Sequence, residues 1–351
     1  MTARIKKLVA EFPRHKNIDA LLVTNDTNIR YLTGFNASES WLLVTKHKVF
    51  YITDFRYLLE ARQGLRGIPV KQYTQTPCVT LFELCKRYKV KRLGFDEKHT
   101  SVSLLKKLKE FCPRRTKLLP VTGLVEVLRE IKEQAEIYQI RQCLKLHFKA
   151  LAFLKKVVRP GVSERQVLAK LEHFVKSRKA GFSFPPIIAS GPNSCYPHAG
   201  VSDRIIRNNE PVLVDIGIDI GRYKSDLTRN FFLGKMTVHY TKVLEAVRLA
   251  QKEAIALIKP GVAVAEVDSK ARNVLRKFGL AKYFGHSLGH GVGLDIHENP
   301  RLSCKSTSIL EPGMVVTVEP AVYIPHQFGI RVEDMVLVTQ NGCEVLSGDH
   351  D

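Results

Sequence analysis

Acids and histidines carry most of the chemistry this chain could perform. Val212-Leu-Val-Asp215-Ile-Gly-Ile-Asp219 reads as a strand, Gly221-Arg222 as a turn, and Ser225-Asp226-Leu-Thr-Arg-Asn-Phe-Phe as the returning strand. With the turn centred near 220–221, Asp215 and Asp226 stand directly opposite each other and share one face. Asp215 is flanked by Val and Ile, where an unpaired carboxylate is costly to bury. Two carboxylates in an apolar ribbon need a counter-charge, and a divalent cation supplies one. The device recurs: Met314-Val-Val-Thr-Val-Glu319 reads as a strand, 325–329 as a loop and Ile330-Arg-Val-Glu333 as the return, so Glu319 and Glu333 face each other about a centre at 326. Four convergent carboxylates exceed the needs of one such metal and point to two that share oxygens.

Between the ribbons lies Phe284-Gly-His286-Ser-Leu-Gly-His290-Gly-Val-Gly-Leu-Asp-Ile-His297. A lone histidine on an apolar segment is ordinarily a core residue. Three at i, i+4 and i+11, among Gly285, Gly289, Gly291 and Gly293, offer nitrogen donors where backbone and ligands can approach closely. His198 sits in a further loop-like stretch, 190–200.

These groups need elements to carry them. Up to about residue 120, short apolar runs (18–23, 41–45, 49–53, 70–73) alternate with helical stretches (57–62, 78–88, 103–111) in an α/β pattern. From Val125 to Val158 the chain is Leu-, Glu-, Lys- and Ala-rich without Gly or Pro, which predicts a long helical stretch entering a second, α+β domain. The expected domains are therefore 1–122 and 123–351. The second contains a repeat: Arg159-Pro-Gly-Val and Lys259-Pro-Gly-Val each end one helix and open another, 100 positions apart. Two related halves facing each other would leave a cleft between them.

Taken together, Asp215, Asp226, His290, Glu319 and Glu333 resemble the five-ligand dinuclear site of the pita-bread metallopeptidases, which include methionine aminopeptidases, aminopeptidase P (Xaa-Pro aminopeptidase) and prolidase. Asn28-Ile-Arg-Tyr-Leu-Thr-Gly-Phe35 and Tyr51-Ile-Thr-Asp-Phe-Arg-Tyr57 resemble the creatinase/prolidase-type N-terminal domain. One small departure is Glu319-Pro320-Ala321, where Gly usually follows the proline. The resemblance implies an α/β N-terminal domain and a pita-bread catalytic domain with internally duplicated halves. It implies Asp226 and Glu333 bridging two divalent metals, with Asp215 completing one and His290 with Glu319 the other. Mn(II) suits that donor set, with Co(II), Zn(II) or Fe(II) as substitutes. Glu319 would also move the proton of a metal-activated water, while His198 and His297 contact the scissile carbonyl. His286 would form the pocket for the residue after the cut, and Arg331 would steady the site.

The implied activity is hydrolysis of Xaa-Pro bonds, releasing the N-terminal residue as aminopeptidase P does. The rival is prolidase, which cleaves Xaa-Pro dipeptides and shares all five ligands. Metal-free creatinase-like chemistry is set aside by the intact ligand set. A non-catalytic binding module would have no use for five ligands and three further histidines.

Composition narrows the setting. Lys and Arg number 55 against 34 Asp and Glu, a net +21, and residues 1–150 hold 29 of those cations against 14 acids. No zinc-finger spacing, RNA-binding aromatic run or phosphate loop accompanies them, so solvated charge is expected and nucleic acid is not an expected partner. The lysines of 103–111 fall on the wet face of an amphipathic helix. Seven scattered cysteines without a CxxC pair fit a reducing cytoplasm. No apolar run of about 18 residues offers a membrane span, and Leu8-Val9-Ala10 is too short for a secretory h-region, so neither a span nor a leader is expected. The family resemblance further implies a homodimer acting on proline-containing peptides.

Overall fold

In the first part of the chain, the apolar runs 20–23 and 49–53 form strands buried at every position, while those at the sheet's edges are only partly buried. The computed structural model describes residues 1–36 and 38–348. The strands are β1 (Ala20–Val23), β2 (Trp41–Thr45), β3 (Val49–Thr53), β4 (Val70–Gln72), β5 (Arg92–Asp96) and β6 (Lys117–Val121). They form one sheet in the order β4-β3-β2-β1-β5-β6. Its helices are α1 (Ala3–Glu11), α2 (Asp26–Thr33), α3 (Phe55–Gly64), α4 (Pro77–Arg87) and α5 (Val102–Phe111). Each starts at a short polar residue, respectively Thr2, Asn25, Asp54, Thr76 and Ser101, whose side chain accepts a backbone N–H of the first turn. Such a cap stabilises a helix by about 1 kcal/mol. Helix α5 buries Leu108 and exposes Lys106, Lys107 and Lys109, the wet face expected of it.

The chain clusters into two compact units, Met1–Arg129 and Glu130–Asp351, a division seven residues beyond the expected one. The difference lies in side chains at the start of α6 (Glu126–Glu130). Asn28 Nδ2 donates to Glu126 Oε1 at 2.7 Å, and Arg129 Nη1 donates to Asn28 Oδ1 at 2.7 Å. These bonds tie 126–129 to α2. The long helical stretch is also broken: α6 ends at Glu130, and α7 (Gln134–Val157) begins afresh behind a capping box of Glu133 and Glu136.

The second unit continues with α8 (Glu164–Lys176), β7 (Gly181–Phe182), β8 (Ile187–Ser190), β9 (Glu210–Ile216), β10 (Ile218–Ile220), β11 (Tyr223–Lys224), β12 (Leu227–Leu233), α9 (Val238–Ile255) and α10 (Val264–Lys277). Strands β13 (Gly289–Gly291), β14 (Glu298–Leu302), β15 (Val315–Val318), β16 (Ala321–Ile324), β17 (Phe328–Arg331), β18 (Asp334–Val338) and β19 (Cys343–Val345) follow. The sheets are β12-β9-β8, β14-β13-β15-β18-β19, β11-β10-β7 and the hairpin β16-β17. Among the described residues no helix is long and apolar enough to cross a membrane.

The two Pro-Gly turns are built alike. Gly161 and Gly261 have φ of 87° and 85°, where a side chain would be strained. Gly161 N donates to Ile206 O, and Ile206 N returns the bond to Val162 O; Gly261 N and Leu310 N make the same exchange with Leu310 O and Val262 O. Helices α8 and α10 start immediately after these turns.

Strand register sets where the acids point. Glu319 and Glu333 fall on the rung between two antiparallel ladders, β15–β18 and β16–β17, that share one register (Val318 with Asp334, Ala321 with Arg331), so the centre at 326 holds. The first ribbon differs from expectation. Gly221 and Arg222 both have positive φ, 59° and 71°, a two-residue primed turn, and Asp215 pairs with Thr228 rather than Asp226. Continued by one rung pair, that register sets Asp226 across from Gly217. Because the displacement is two residues, Asp215 and Asp226 keep a common face.

Candidate metal and peptidase site

Burial and packing force the acids together. Strand β9 is buried along its whole length, leaving Asp215 8% exposed, while Asp226 and Glu333 are 4% and 1% exposed. Oxygens of Asp226 and Glu333 and a ring nitrogen of His290 lie within 4.8 Å of one another. Glu319 adjoins them, its Oε1 3.5 Å from His290 Nε2, and Asp226 Oδ2 stands 3.6 Å from the same nitrogen.

The imidazole of His290 identifies what is suited to fill the space. Its Nδ1 lies 3.1 Å from Gly291 O, an acceptor only, so Nδ1 carries the proton and Nε2 presents a lone pair. Burial, reinforced by His297, lowers its pKa to about 4 and keeps the ring neutral. The contacts to Asp226 and Glu319 are therefore not ion pairs. A lone pair aimed at two carboxylate oxygens is repulsive unless a proton sits on one of them or a cation lies between them. The carboxylates carry the same mark. Burial, then Glu333, Asp215 and Glu319, push the Asp226 carboxyl far above its ordinary range. Burial, then Glu319 and Asp215, do the same to Glu333. Burial and Asp215 hold Glu319 at about 8 against the opposing pull of Arg331. Asp215 Oδ1 is buried with no hydrogen-bond partner. Four acids, one imidazole lone pair and an orphaned oxygen fit divalent cations.

Arg331 joins Asp215 and Thr228 to Tyr323. It is 4% exposed; Nη2 bonds Asp215 Oδ2, Nε donates to Thr228 Oγ1 at 2.9 Å, Nη1 to Pro197 O at 3.2 Å, and Nη1 also bonds the Tyr323 hydroxyl. Thr228 Oγ1 donates in turn to Glu333 Oε2 at 2.7 Å. The Tyr323 hydroxyl stands 3.3 Å from His286 Nε2. Burial pushes that phenol up to about 12 and lowers His286 to about 4, so both stay neutral. His198 and His297 are exposed and near enough that His198 depresses His297, after burial. The nine residues singled out from sequence thus lie in one neighbourhood. Sequence reasoning missed Thr228 and Tyr323. Tyr323 lies four residues after Glu319, and Thr228 two after Asp226, so period-2 spacing was the signal available.

The glycines beside His290 allow the close backbone approach expected of them. A Cβ on Gly289 would lie 2.0 Å from Thr317 O, and one on Gly291 2.1 Å from Asn299 O. They admit neighbouring backbone. Gly291→Ala should therefore lower Tm by on the order of 5 °C or more. Thermal unfolding at saturating metal measures it, and an unchanged Tm would show that the strands have room to separate.

Comparison with known proteins decides the family. Residues 138–340 match metallopeptidase family M24, and residues 4–131 match the creatinase/prolidase N-terminal domain. The chain belongs to metallopeptidase family M24. An Xaa-Pro dipeptidase of Pyrococcus horikoshii is 34% identical to this metallopeptidase over 99% of this chain and 97% of the relative. Among solved structures, an Xaa-Pro dipeptidase from Bacillus anthracis matches with TM-score 0.95 and 34% identity, over 99% of this chain and 97% of that one. An X-Pro aminopeptidase from Thermotoga maritima matches with TM-score 0.87 and 31% identity, over 95% and 96%. The M24 peptidase thus pairs a creatinase-type N-terminal domain with a pita-bread catalytic domain, as the resemblance implied, and its family uses divalent metal ions.

Proposed function

We propose that this M24 peptidase hydrolyses Xaa-Pro bonds with two divalent cations, Mn(II) being the best fit to four carboxylates and one imidazole. The observation that carries the reading is the His290 lone pair turned toward Asp226 and Glu319 beside two further buried acids. Asp226 and Glu333 would bridge the cations, Asp215 would complete one site, and His290 with Glu319 the other. When bound, the cations supply an activated water and polarise the scissile carbonyl. Glu319 accepts a proton at its carboxylate and returns it to the leaving nitrogen. His198 and His297 donate to the carbonyl oxygen as charge develops there. His286 and Tyr323 frame the proline ring, and Arg331 holds Asp215 in line. An Xaa-Pro bond has no N–H to grip, so a site that works on the carbonyl and water suits it. The reading also assigns a reducing cytoplasm, which the free cysteines accommodate, and a homodimer.

Substrate length turns on Arg301. In the β13–β14 ladder it pairs directly with His290, so the two side chains share a face. Its charge depresses both His290 and His297. Its Nε donates to Ser287 Oγ at 3.2 Å, and its terminal nitrogens have no partner among the described residues. A guanidinium there suits the free carboxylate that follows proline in a dipeptide, and this favours the prolidase reading. The aminopeptidase P reading, expected from sequence, keeps support from the similarity to the Thermotoga structure. Measuring kcat/KM on Xaa-Pro, Xaa-Pro-amide and Xaa-Pro-Yaa with Mn(II) separates them. Arg301→Gln should cost Xaa-Pro about 10- to 100-fold and spare the amide. Equal loss on both, or preferential turnover of Xaa-Pro-Yaa by the wild type, returns the assignment to aminopeptidase P. No Mn(II)-dependent turnover of any of the three would overturn the Xaa-Pro assignment itself.

A further inference from the structure

Among the described residues, each half of the catalytic unit holds one carboxylate at 0% exposure that the metal chemistry does not use. Glu164 is the first residue of α8 and Asp268 lies in the second turn of α10, the helices that follow the two Pro-Gly turns, and both are 0% exposed. A fully buried acid is tolerated only when its oxygens are saturated by donors.

For Glu164 those donors come from the segment 190–202, and for Asp268 from Leu288 and Arg272. Glu164 Oε1 accepts Ser190 N and Ser190 Oγ, both at 2.7 Å, and Oε2 accepts Ser202 N at 3.1 Å and Ser202 Oγ at 2.7 Å. Asn193 Nδ2 spans both oxygens at 3.1 and 3.3 Å. Glu164 therefore draws together the two ends of the segment 190–202, which carries His198 at its exposed tip. In the other half, Asp268 Oδ1 accepts Leu288 N at 3.0 Å, and its two oxygens bind Arg272 at 2.7 and 3.1 Å. Arg272 in turn donates to Phe284 O at 3.0 Å and to His286 O. Asp268, directly and through Arg272, closes the segment 284–288 around His286.

We propose that Glu164 and Asp268 are positioning residues, one in each half, that set His198 and His286 against the substrate without touching it. The proposal rests on the assignment of those histidines to the scissile carbonyl and to the proline pocket. A loop fastened at both ends to a buried carboxylate holds its tip with little freedom, and displacement of a contacting group by about 1 Å costs on the order of 100-fold in rate. The two clamps act on different steps. His198 serves the developing oxyanion, so loosening Glu164 falls on kcat; His286 serves ground-state binding, so loosening Asp268 falls on KM.

Glu164→Gln and Asp268→Asn retain size while setting an NH2 group against donors. Each should lower kcat/KM by on the order of 10- to 100-fold on Xaa-Pro substrates, with two metals still bound per chain. The loss should appear in kcat for the first and in KM for the second. The decisive measurement is the double-mutant cycle: Glu164→Gln added to His198→Ala, and Asp268→Asn added to His286→Ala, should each cost less than about threefold. Amide exchange should quicken in 190–202 for the first variant and in 284–288 for the second. Additive losses in either cycle, or loss of metal with either single variant, would overturn the proposal for that clamp. If His198→Ala leaves kcat untouched while wild type cleaves Xaa-Pro bonds, the role of His198 is wrong and its clamp falls with it; the same holds for His286 and KM. Should Glu164→Gln not fold, Ser202→Ala and Asn193→Ala carry the same cycle, because each removes donors from the clamp and leaves the carboxylate in place.

Discussion

Glu333→Ala should abolish turnover, lowering kcat/KM by on the order of 10⁴-fold or more, and should leave a protein that no longer holds two metals. Glu333 is 1% exposed, receives the Thr228 hydroxyl at 2.7 Å, and shares a sphere of 4.8 Å with Asp226 and His290. Glu333 and Asp226 are the two acids proposed to reach both cation positions. Loss of Glu333 therefore opens both proposed cation positions at once, and Asp226→Ala should behave alike. Elemental analysis alongside kinetics reads the result. Stability supplies an independent check. The deletion relieves crowding among like charges, so the metal-free variant should melt no lower than metal-free wild type. The rise in Tm that metal gives the wild type should vanish. Two bound metals in a dead Glu333→Ala enzyme would move Glu333 from ligand to proton handling.

Stripping the wild type with a chelator should make its stability fall steeply as pH rises from about 4.5 to about 8. In the folded chain Glu319 is held at about 8, above the usual carboxylate range, by burial and then Asp215, and Asp226 and Glu333 are also raised well above theirs. A carboxyl raised on folding binds its proton more tightly in the native state. Its contribution is fully present below the unfolded value and is lost as pH climbs through the folded one. Each such group costs up to about 1.4 kcal/mol per pH unit within that window. Bound cations replace the protons, so the difference in Tm between metal-loaded and stripped protein should widen from pH 5 to pH 8. A difference that stays constant with pH would mean that the acids are not neutralised by metal.

The parts of the site legible in the sequence were those with strong chemistry or strict period. Asp215 and Asp226 announce themselves as acids in apolar strands. Their register was misjudged by one rung pair because no residue type distinguishes a turn at 220–221 from one at 221–222, and parity rescued the shared face. Glu319 and Glu333 came out in register because the loop between them is symmetric about 326. Arg301, Thr228 and Tyr323 escaped notice for a different reason. A surface arginine, a threonine and a tyrosine are ordinary in strands, and only the fold reveals what they touch. The unit boundary was placed early because it depends on Asn28, Glu126 and Arg129, which are joined across about a hundred positions.

The proposed donor set is divided between the duplicated halves: Asp215 and Asp226 come from the first, His290, Glu319 and Glu333 from the second. Neither half alone presents more than a partial set, so a nascent chain cannot capture its cations until residue 333 has been made and both halves have docked. Metal acquisition is then the closing event of maturation rather than a template for it. A chain severed in the stretch between Leu233 and Val238, outside every strand and helix, would recover its ions only if the fragments found each other again. Such reassembly could be followed by metal uptake alone, before any peptide is cut.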